Sequence, residues 1–218
     1  VTPWQLNAPS AASIGEQAAY AEAQGYESFW LPENHFGEGA LPDPLMLLAS
    51  AATTTTTIKL ATTSYLLTLR NPLQAAEQVA VLDQLSGGRV LLGVGRGYAP
   101  EMLRAFHVPV AEKRRIFAWT LGLMKDAWAG AAISLDGEVE KAVKVYTLSG
   151  QRPHPPIRVA ALGPKALAQA GRMGLPYLSS PMESMATLAA NYAKHQQASV
   201  EEGVAPAATI PLMRTVFV

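Results

Sequence analysis

An acid, an amide and an imidazole stand side by side where an apolar stretch of the chain ends. The segment FWLPENHFGEG places Glu33, Asn34 and His35 directly after a predicted buried strand, residues 26–31. Carboxylates and imidazoles can hold or move a proton, and an amide can orient an oxygen by hydrogen bonding. These three residues either turn the chain or line a reaction site, and the other strand ends distinguish the two interpretations.

Four other predicted strands also end in polar or glycine-rich segments, which are Thr62-Thr63-Ser64, Arg96-Gly97, Gly163-Pro164-Lys165 and Ser179-Ser180. In parallel α/β folds the ligand site lies at the carboxyl ends of the strands. Turn and capping chemistry accounts for Gly163, Ser179 and Ser180 taken one at a time. Neither explains a long cation such as Arg96 between two glycines. The five strand ends together predict a ligand site.

The glycines around Arg96 predict a close approach between backbone and ligand. In GVGRG, Gly95 and Gly97 carry no Cβ that would keep a flat or phosphorylated ligand away. Arg96 can donate two parallel hydrogen bonds to a phosphate. The spacing is not the G-x-G-x-x-G of dinucleotide-binding turns. A second anion site is predicted at Gly163-Pro164, because the free N–H groups of a helix that begins there point at the strand ends.

Helix-like and strand-like periods alternate along the chain, which indicates a mainly parallel sheet covered by helices. The predicted strands are residues 1–4 (the remnant of a first strand), 26–31, 58–63, 90–94, 157–161, 175–179 and 210–218. Residues 129–155 interrupt the alternation and are predicted to be an excursion between elements. Two architectures fit this pattern: an open doubly wound sheet, or a (β/α)8 barrel short of one unit, since such barrels usually need about 250 residues.

Composition narrows the class of protein. The chain has 218 residues, 49% of them hydrophobic, which is enough for a sizeable core. Its 17 basic and 17 acidic side chains balance, so it lacks the basic surface expected of a protein that binds nucleic acid or an anionic membrane. Cysteine is absent, and His107, His154 and His195 have no acidic or histidine partner at metal-ligand spacing, so we expect neither disulfides nor a metal site. No apolar run approaches the roughly 18 residues of a membrane span, and we expect a cytoplasmic protein.

Taken together, these motifs resemble those of the bacterial luciferase-like flavin monooxygenase family. The similarity begins at YAEAQGYESFWLPENHF, continues through ATTSYLLTLRNPLQAAEQVAVLDQLSGGRVLLGVGRGY and persists in RRIFAWTLGLMKDAW and QRPHPPIRVAA. The specific part is the joint pattern of Glu77, Leu82-Asp83, Leu85-Ser86, Gly88-Arg89 and Gly93-x-Gly95-Arg96-Gly97. The resemblance implies a luciferase-like (β/α)8 TIM barrel. It would be one domain over residues 1–218, lacking its C-terminal unit and part of its first strand, with an insertion at 129–155.

The resemblance also implies a cofactor, reduced FMN or the deazaflavin coenzyme F420, at the C-terminal mouth of the barrel. Arg96 and Arg114 match the two arginines that hold the flavin phosphate, and Thr63-Ser64 matches a non-proline cis peptide against the flavin ring. Lys165 or backbone N–H groups would complete the phosphate contacts, because this sequence lacks the family's acidic and hydroxyl side chains there. The remaining implied flavin contacts are Gly95, Gly97, Val159, Ala161, Leu162, Gly163 and Ser180.

The catalytic residues implied by the resemblance are Glu33, Asn34 and His35, with one departure. Where the family has Glu-His-His, this sequence has Glu33-Asn34-His35, so an amide that cannot take a proton replaces the first histidine. His35 is then the proton donor or orienting group, and Asn34 a hydrogen-bond donor to a substrate or flavin oxygen. The opposing interpretation, in which Glu33 caps a turn and His35 packs beneath it, stays open.

Three functions stay open at this point. The first is a monooxygenase that uses O2 and reduced FMN, supplied by a separate flavin reductase, on a small organic substrate. The second is a coenzyme F420-dependent oxidoreductase that transfers hydride on the same barrel. The third is a non-catalytic flavin-binding protein. The family commonly pairs through its barrel helices, so we expect a homodimer, and we expect no nucleic-acid or membrane partner.

Overall fold

The structure, a computed structural model, describes residues 11–135, 137–138, 141–206 and 211–213. Its helices are α1 (Ile14–Ala23), α2 (Pro44–Thr54), α3 (Pro72–Leu85), α4 (Pro100–Ala105), α5 (Lys113–Trp128), α6 (Pro164–Arg172) and α7 (Met185–Glu201). Its strands are β1 (Ser28–Leu31), β2 (Lys59–Thr62), β3 (Tyr65–Leu66), β4 (Val90–Gly95), β5 (Ala132–Ile133), β6 (Val143–Lys144), β7 (Ile157–Ala160) and β8 (Tyr177–Leu178). Short 3-10 turns at Leu67–Leu69 and Val110–Glu112 precede α3 and α5.

Five of these strands form one parallel sheet in the order β1, β2, β4, β7 and β8, and β3 adds a further parallel partner to β4. Neighbours in the sheet follow one another along the chain with helices in the crossovers, as in the wall of a (β/α)8 barrel. The parallel α/β arrangement predicted from the alternating periods is confirmed. Because every strand runs the same way, the polar segments after the strands lie along one edge of the sheet.

Some predicted strands differ in length from those observed. The predicted strand 26–31 is paired only over Ser28–Leu31, and 175–179 only over Tyr177–Leu178, because a ladder forms only where a neighbouring strand runs alongside. The predicted strand 1–4 lies outside the described residues. Of the predicted strand 210–218, only residues 211–213 are described, and they form no strand.

The predicted excursion falls between the end of α5 and the start of β7. It contains the antiparallel pair β5–β6, which is separate from the main sheet. The buried carboxylate of Asp83 on α3 fixes the return of the chain. Asp83 accepts hydrogen bonds from the Gln151 backbone N–H (2.9 Å) and side-chain Nε2 (2.7 Å), and from the Ser149 hydroxyl.

The pairs Asp43-Pro44 and Asn71-Pro72 predict the starts of two helices, as a capping residue followed by a proline at the first helical position, and the structure confirms both. The Asp43 carboxylate accepts from the N–H of Met46 (3.2 Å) at the start of α2. The Asn71 side chain accepts from the N–H groups of Leu73 and Gln74 at the start of α3. The Ser-x-x-Glu pattern of Ser13 and Glu16 predicts a capping box at the start of α1. This prediction is wrong, because the Ser13 side chain makes no capping hydrogen bond to the helix backbone.

One hydrophobic core lies between the sheet and its helices, and it includes Phe29, Leu60, Val90 and Ile157. The residues of α5 that are buried in the core include Phe117 and Leu121. Trp119 is not one of them, since it is 43% exposed. The apolar residues of the segment RRIFAWTLGLMKDAW predict Trp119 as a core residue. This prediction is wrong, since positions 117 and 121 are four apart on one helix face and 119 points away from it. Within the described part of the chain, no helix has the length and apolar composition needed to cross a membrane.

Arg89, directly before β4, is hydrogen-bonded to the end of α2 and has no ion-pair partner in the described residues. It is 7% exposed, and burial lowers its pKa. Its guanidinium donates to the Thr55 hydroxyl (2.9 Å) and to the backbone carbonyls of Ser86 (2.6 Å), Ile58 (2.8 Å), Ala52 (3.1 Å) and Thr55 (2.9 Å). These carbonyls include the last orphan acceptors of α2, where a cation also meets the negative end of the helix macrodipole.

Candidate active site

Glu33 is the centre of a buried hydrogen-bond network at the carboxyl end of β1. Its side chain is 0% exposed. Oε1 accepts from Arg70 Nη2 (2.5 Å) and lies 2.9 Å from His35 Nε2, while Oε2 accepts from the backbone N–H of Leu66 (2.9 Å). The carboxylate therefore joins the end of β1 to β3 and to the loop that precedes α3.

The charge of Glu33 reflects two opposing influences. Burial is the larger influence and raises the pKa of the Glu33 carboxyl above its ordinary value, while the positive charge of Arg70 is the strongest influence in the other direction. The Leu66 N–H and His35 also favour the carboxylate. The ring of Tyr65 lies 4.6 Å from the Arg70 guanidinium, and burial raises the pKa of its phenol, so Tyr65 is neutral. Arg70 is therefore the cation that balances the charge of this network.

His35 has one ring nitrogen engaged and packs against two phenylalanines. Its side chain is 9% exposed, and its ring centroid lies 5.7 Å from that of Phe36 and 4.9 Å, edge-on, from that of Phe106. Nε2 faces Glu33, whereas Nδ1 has no hydrogen-bond partner in the described part of the chain. With a proton on Nε2, the ring offers a lone pair at Nδ1 where it can receive a proton.

Asn34 has a structural task in addition to its predicted role. Its Oδ1 accepts from the Leu41 N–H (2.5 Å), and its own N–H donates to the Leu41 carbonyl (3.0 Å), which closes a loop over residues 34–41. Within that loop Phe36 has a left-handed φ of 63°. Only the Nδ2 group of Asn34 has no partner among the residues that the structure describes. The hydrogen-bond donor predicted at Asn34 is therefore Nδ2, and its role stays a prediction.

The peptide between Thr63 and Ser64 is cis, as the resemblance implies. A Cβ on Gly95 would overlap the Ser64 hydroxyl, and a Cβ on Gly93 would overlap the Thr62 carbonyl. Glycine at both positions is thus required by the close approach of the last residue of β2, Thr62, and of Ser64 just after it, independently of any ligand. Gly97 has a φ of +69° in the left-handed region that favours glycine. Flavin contacts by Thr63, Ser64, Gly95 and Gly97 stay predictions.

Arg96 leaves the end of β4 and is held by neutral groups. Its Nη1 donates to Gln169 Oε1 (3.0 Å), its guanidinium lies 5.8 Å from the ring centroid of Phe117, and its carbonyl accepts from the Thr68 hydroxyl (2.8 Å). Burial, and then the positive charge of Arg114, lowers the pKa of Arg96. The two like charges repel each other, and an anion bound between them would relieve that repulsion.

A cleft of about 540 Å³ lies between α5 and α6, beside the Gln169 that holds Arg96. No acidic side chain lines it; the lining residues are Arg114, Arg115, Ala118, Pro164, Lys165, Ala168, Gln169 and Arg172. Arg115 is paired with Glu112, but α5 begins with Lys113-Arg114 and α6 with Pro164-Lys165. Cations therefore stand at two helix N-termini, where the macrodipole already favours negative charge. The arrangement is suited to an anion such as a phosphate.

The remaining predicted flavin contacts differ in what they can offer a ligand. The side chains of Val159 and Ala161 pack in the hydrophobic core, so only their backbone can reach a ligand. Leu162 is 61% exposed. Gly163 has a φ of +83° and open space where a Cβ would stand, and the Ser180 N–H is already engaged by a carboxylate, at 2.8 Å. Their contacts with a flavin stay predictions.

The structure brings the predicted residues into two groups that β3 and the turn after it connect. Glu33, Asn34 and His35 form one group, and Glu33 accepts from the N–H of Leu66 in β3. The cations around the cleft form the other, and Arg96 is joined to this segment through Thr68. Ser180 belongs to neither group, since it follows β8, the last strand in the sheet order, and its N–H donates to the nearby Glu183 carboxylate.

Sequence reasoning missed two residues, Arg70 and Gln169. Arg70 lies in a loop just before the Asn71 cap, and Gln169 lies inside α6, and neither position carries a periodic or motif signal. Each acts by contacting a residue far away in the sequence, Glu33 and Arg96 respectively. Among the described residues, no group of three or more histidines and carboxylates could hold a metal ion.

Comparison with known sequences gives one family match over the whole chain. The profile of the luciferase-like monooxygenase family matches residues 1–218. Uncharacterized protein y4vJ of Sinorhizobium fredii is 33% identical over 164 residues, which cover 73% of this chain and 46% of that protein. The alkanal monooxygenase alpha chain of Photorhabdus luminescens is 29% identical over 163 residues, which cover 73% of this chain and 45% of that protein. The chain spans about half the length of these relatives.

Solved structures share the fold. Monooxygenase RslO1 from Streptomyces bottropensis has a TM-score of 0.83 at 24% identity, covering 95% of this chain and 67% of that chain. The oxygenating constituent of 3,6-diketocamphane monooxygenase from Pseudomonas putida, solved in complex with FMN, has a TM-score of 0.77 at 21% identity. The match covers 91% of this chain and 59% of that chain. The coenzyme F420-dependent tetrahydromethanopterin reductase of Methanopyrus kandleri has a TM-score of 0.74 at 21% identity, covering 94% of this chain and 61% of that chain. The two architectures that fit the sequence pattern were a barrel and an open doubly wound sheet. These matches confirm the TIM barrel of the luciferase-like type.

Proposed function

Because the chain belongs to the luciferase-like monooxygenase family, we propose that it is an oxidoreductase that binds a phosphorylated, flavin-type cofactor at the carboxyl ends of its strands. The proposed cofactor is reduced FMN, and the proposed reaction is the monooxygenation of a small organic substrate with O2. The observation that carries this proposal is the cleft between α5 and α6, where Arg114 and Lys165 present positive charge and no acidic side chain lines the wall. Arg96 is connected to this cleft through Gln169, which lines it.

The residues around the cleft fit a phosphorylated cofactor. Arg96 has only Gln169 as a side-chain hydrogen-bond acceptor in the described residues, so its remaining N–H groups are open to a phosphate. The first turn of α6 follows Gly163 without a side-chain cap. Pro164 has no N–H, and the Ala166 N–H donates to the Gly163 carbonyl (3.1 Å), so the Lys165 N–H is the helix donor left for an anion within the described residues. When bound, reduced flavin supplies the electrons with which O2 is activated.

The residues at the end of β1 supply proton handling, orientation and an apolar wall. In this proposal His35 holds or receives a proton at Nδ1, while Glu33 fixes the orientation of its ring through Nε2. Asn34 donates from Nδ2 to a substrate or flavin oxygen. Phe36 and Phe106 stack with centroids 5.6 Å apart and flank His35 with apolar surface, which limits the access of water to it.

Two other functions have specific support. A coenzyme F420-dependent hydride-transfer oxidoreductase is supported by the structural likeness to an F420-dependent reductase, and F420 also carries a phosphate that the cleft could hold. A non-catalytic flavin-binding protein is supported by Asn34, which stands where the family has a proton-accepting histidine and whose oxygen is engaged by Leu41. Turnover with O2 and a flavin reductase separates the first function from the third, and binding of F420 rather than FMN separates the first from the second.

The assembly of the protein is part of the proposal. Relatives from Photorhabdus are named as alpha and beta chains of one enzyme, which supports pairing of chains in this family. We propose a homodimer in the cytoplasm that receives reduced FMN from a separate flavin reductase and acts on a small-molecule substrate.

Replacing Arg96 by alanine tests where the cofactor binds. The variant should bind FMN or F420 ten-fold or more weakly, because it loses a charge-assisted contact of about 1.5–3 kcal/mol. Dissociation constants from cofactor fluorescence would measure the loss. Riboflavin is the matched control, since it lacks the phosphate and should bind both proteins equally. An equal loss for riboflavin and FMN would mean that Arg96 acts only through its contacts with Gln169 and Phe117.

A further inference from the structure

We propose that Arg70 is a positioning residue for His35. It keeps the Glu33 carboxyl ionised, and the ionised carboxylate holds the imidazole in the tautomer that carries its proton on Nε2 and its lone pair on Nδ1. The charge and the tautomer are properties of the chain alone. Their consequence for turnover rests on the proposed function.

The first step is the contact between Arg70 and Glu33. Nη2 of Arg70 lies 2.5 Å from Oε1 of Glu33, whose side chain is fully buried, while the Arg70 side chain is 21% exposed. Glu33 is the one acceptor that the guanidinium finds within the described ranges, and the buried Nε of Arg70 has no partner there. The ring of Tyr65 lies 4.6 Å from the guanidinium carbon and holds it in place. Glu33 is therefore the hydrogen-bond and ion-pair partner of Arg70.

The second step is the hydrogen-bond balance of Glu33. Arg70 and the N–H of Leu66 can only donate, and each meets a different carboxylate oxygen. An ionised carboxylate can only accept, so its contact with His35 at 2.9 Å requires a proton on Nε2. A protonated carboxyl could donate to Nε2 instead, and the ring proton would then move to Nδ1. The charge of Glu33 thus decides the tautomer of His35.

The third step is what sets the charge of Glu33. Burial acts against the carboxylate, and the two charged side chains that act on it are Arg70 and His35, of which Arg70 is the stronger. The other titratable groups at this end of β1 are Tyr65, which burial keeps neutral, and Asp43, which acts on Tyr65 and caps α2. His35 carries no charge in the proposed tautomer, which leaves Arg70 as the one permanent cation that acts on Glu33 among the described residues, so the ionisation of Glu33 depends on Arg70.

The consequence concerns which group can take a proton. Asn34 stands where the family has a histidine and cannot accept a proton, so the Nδ1 atom of His35 is left to do so at the end of β1. That atom has no partner in the described residues and is available only in the tautomer that Arg70 supports through Glu33.

The effect of Arg70 on Glu33 can be measured by carbon-13 NMR of the Glu33 carboxyl as a function of pH. In Arg70→Gln the midpoint of that titration should rise by about 1–3 pH units, the usual effect of removing a close opposite charge. Arg70→Lys keeps the charge and should restore most of the wild-type midpoint. Arg104→Gln is the matched control, since Arg104 is a surface residue paired with Glu101, and it should leave the midpoint unchanged.

The tautomer can be measured by long-range proton–nitrogen correlation of the imidazole rings at about pH 8, where free imidazole is neutral. The chain has 4 histidines, and His35→Asn identifies the signals of His35. The wild type should carry its proton on Nε2, and in Arg70→Gln the proton should move to Nδ1 over the pH range in which Glu33 is protonated. An unchanged Glu33 midpoint in folded Arg70→Gln, or a wild-type proton on Nδ1, overturns the proposal.

These readouts do not depend on a cofactor. If Arg70→Gln fails to fold, the tautomer of His35 in the wild type still tests the proposal. A proton on Nε2 supports it, and a proton on Nδ1 overturns it. If the wild type binds neither FMN nor F420, the proposed function fails, while the titration of Glu33 and the tautomer of His35 still test the role of Arg70.

Discussion

Alanine in place of His35 should lower turnover roughly 10²-fold while the affinity for reduced cofactor changes less than about two-fold. His35 is the one group of the Glu33–Asn34–His35 segment with a proton-accepting atom, Nδ1, that has no partner in the described chain. Its loss should remove the proposed proton transfer and leave unchanged the cationic cleft that we propose as the phosphate site. The measurement is kcat with reduced FMN, O2 and decanal as a test alkanal, beside an anaerobic titration of the cofactor.

His35→Gln is the matched control for packing. Its amide can still donate to Glu33 but cannot take a proton, so it should be as slow as His35→Ala and as stable as the wild type. If His35→Ala unfolds the protein, or if turnover persists, the segment is a scaffold and proton transfer occurs elsewhere.

Methionine in place of Arg89 should lower the free energy of unfolding by about 4 kcal/mol. Arg89 is 7% exposed and donates to four backbone carbonyls and one hydroxyl, so its removal leaves several buried acceptors without partners. Each such group costs about 1–3 kcal/mol, and partial access of water to the end of α2 reduces the sum. Urea denaturation followed by circular dichroism measures the change.

Arg89→Lys separates hydrogen bonding from charge at this position. Lysine keeps the charge but has only three donors on one atom, so it should recover roughly half of the loss. A loss below about 1 kcal/mol in Arg89→Met would contradict the structural role, because it would mean that water or neighbouring groups satisfy the exposed carbonyls at little cost.

The sequence predicted those features that depend on local signals. Asp43 and Asn71 each precede a proline at the start of a helix, and both cap as expected. The alternation of periods predicted a parallel sheet, and the family motif predicted the cis peptide after Thr63. A local pattern failed at Ser13, whose hydroxyl accepts from the Gln17 side chain of α1 (2.8 Å) and makes no backbone cap.

The candidate site was predictable in position but not in its connections. Parallel strands bring their carboxyl ends to one edge, so the polar residues after β1 and β4 could be placed there from the sequence. The partners could not, because Arg70 and Gln169 reach Glu33 and Arg96 across 37 and 73 positions of the chain. The same reason hides the need for glycine at 95, which comes from the Ser64 side chain on another segment.

The binding of cofactors by the unaltered chain tests the central claim most directly. Reduced FMN, reduced F420 and reduced riboflavin would be titrated in turn into the protein without oxygen, with the heat of binding as the signal. We expect FMN or F420 to bind at least about ten-fold more tightly than riboflavin, because the phosphate gains the charged contacts of Arg96, Arg114 and Lys165. Equal affinity for all three compounds, or no binding of any, would contradict a phosphorylated flavin site at the ends of these strands.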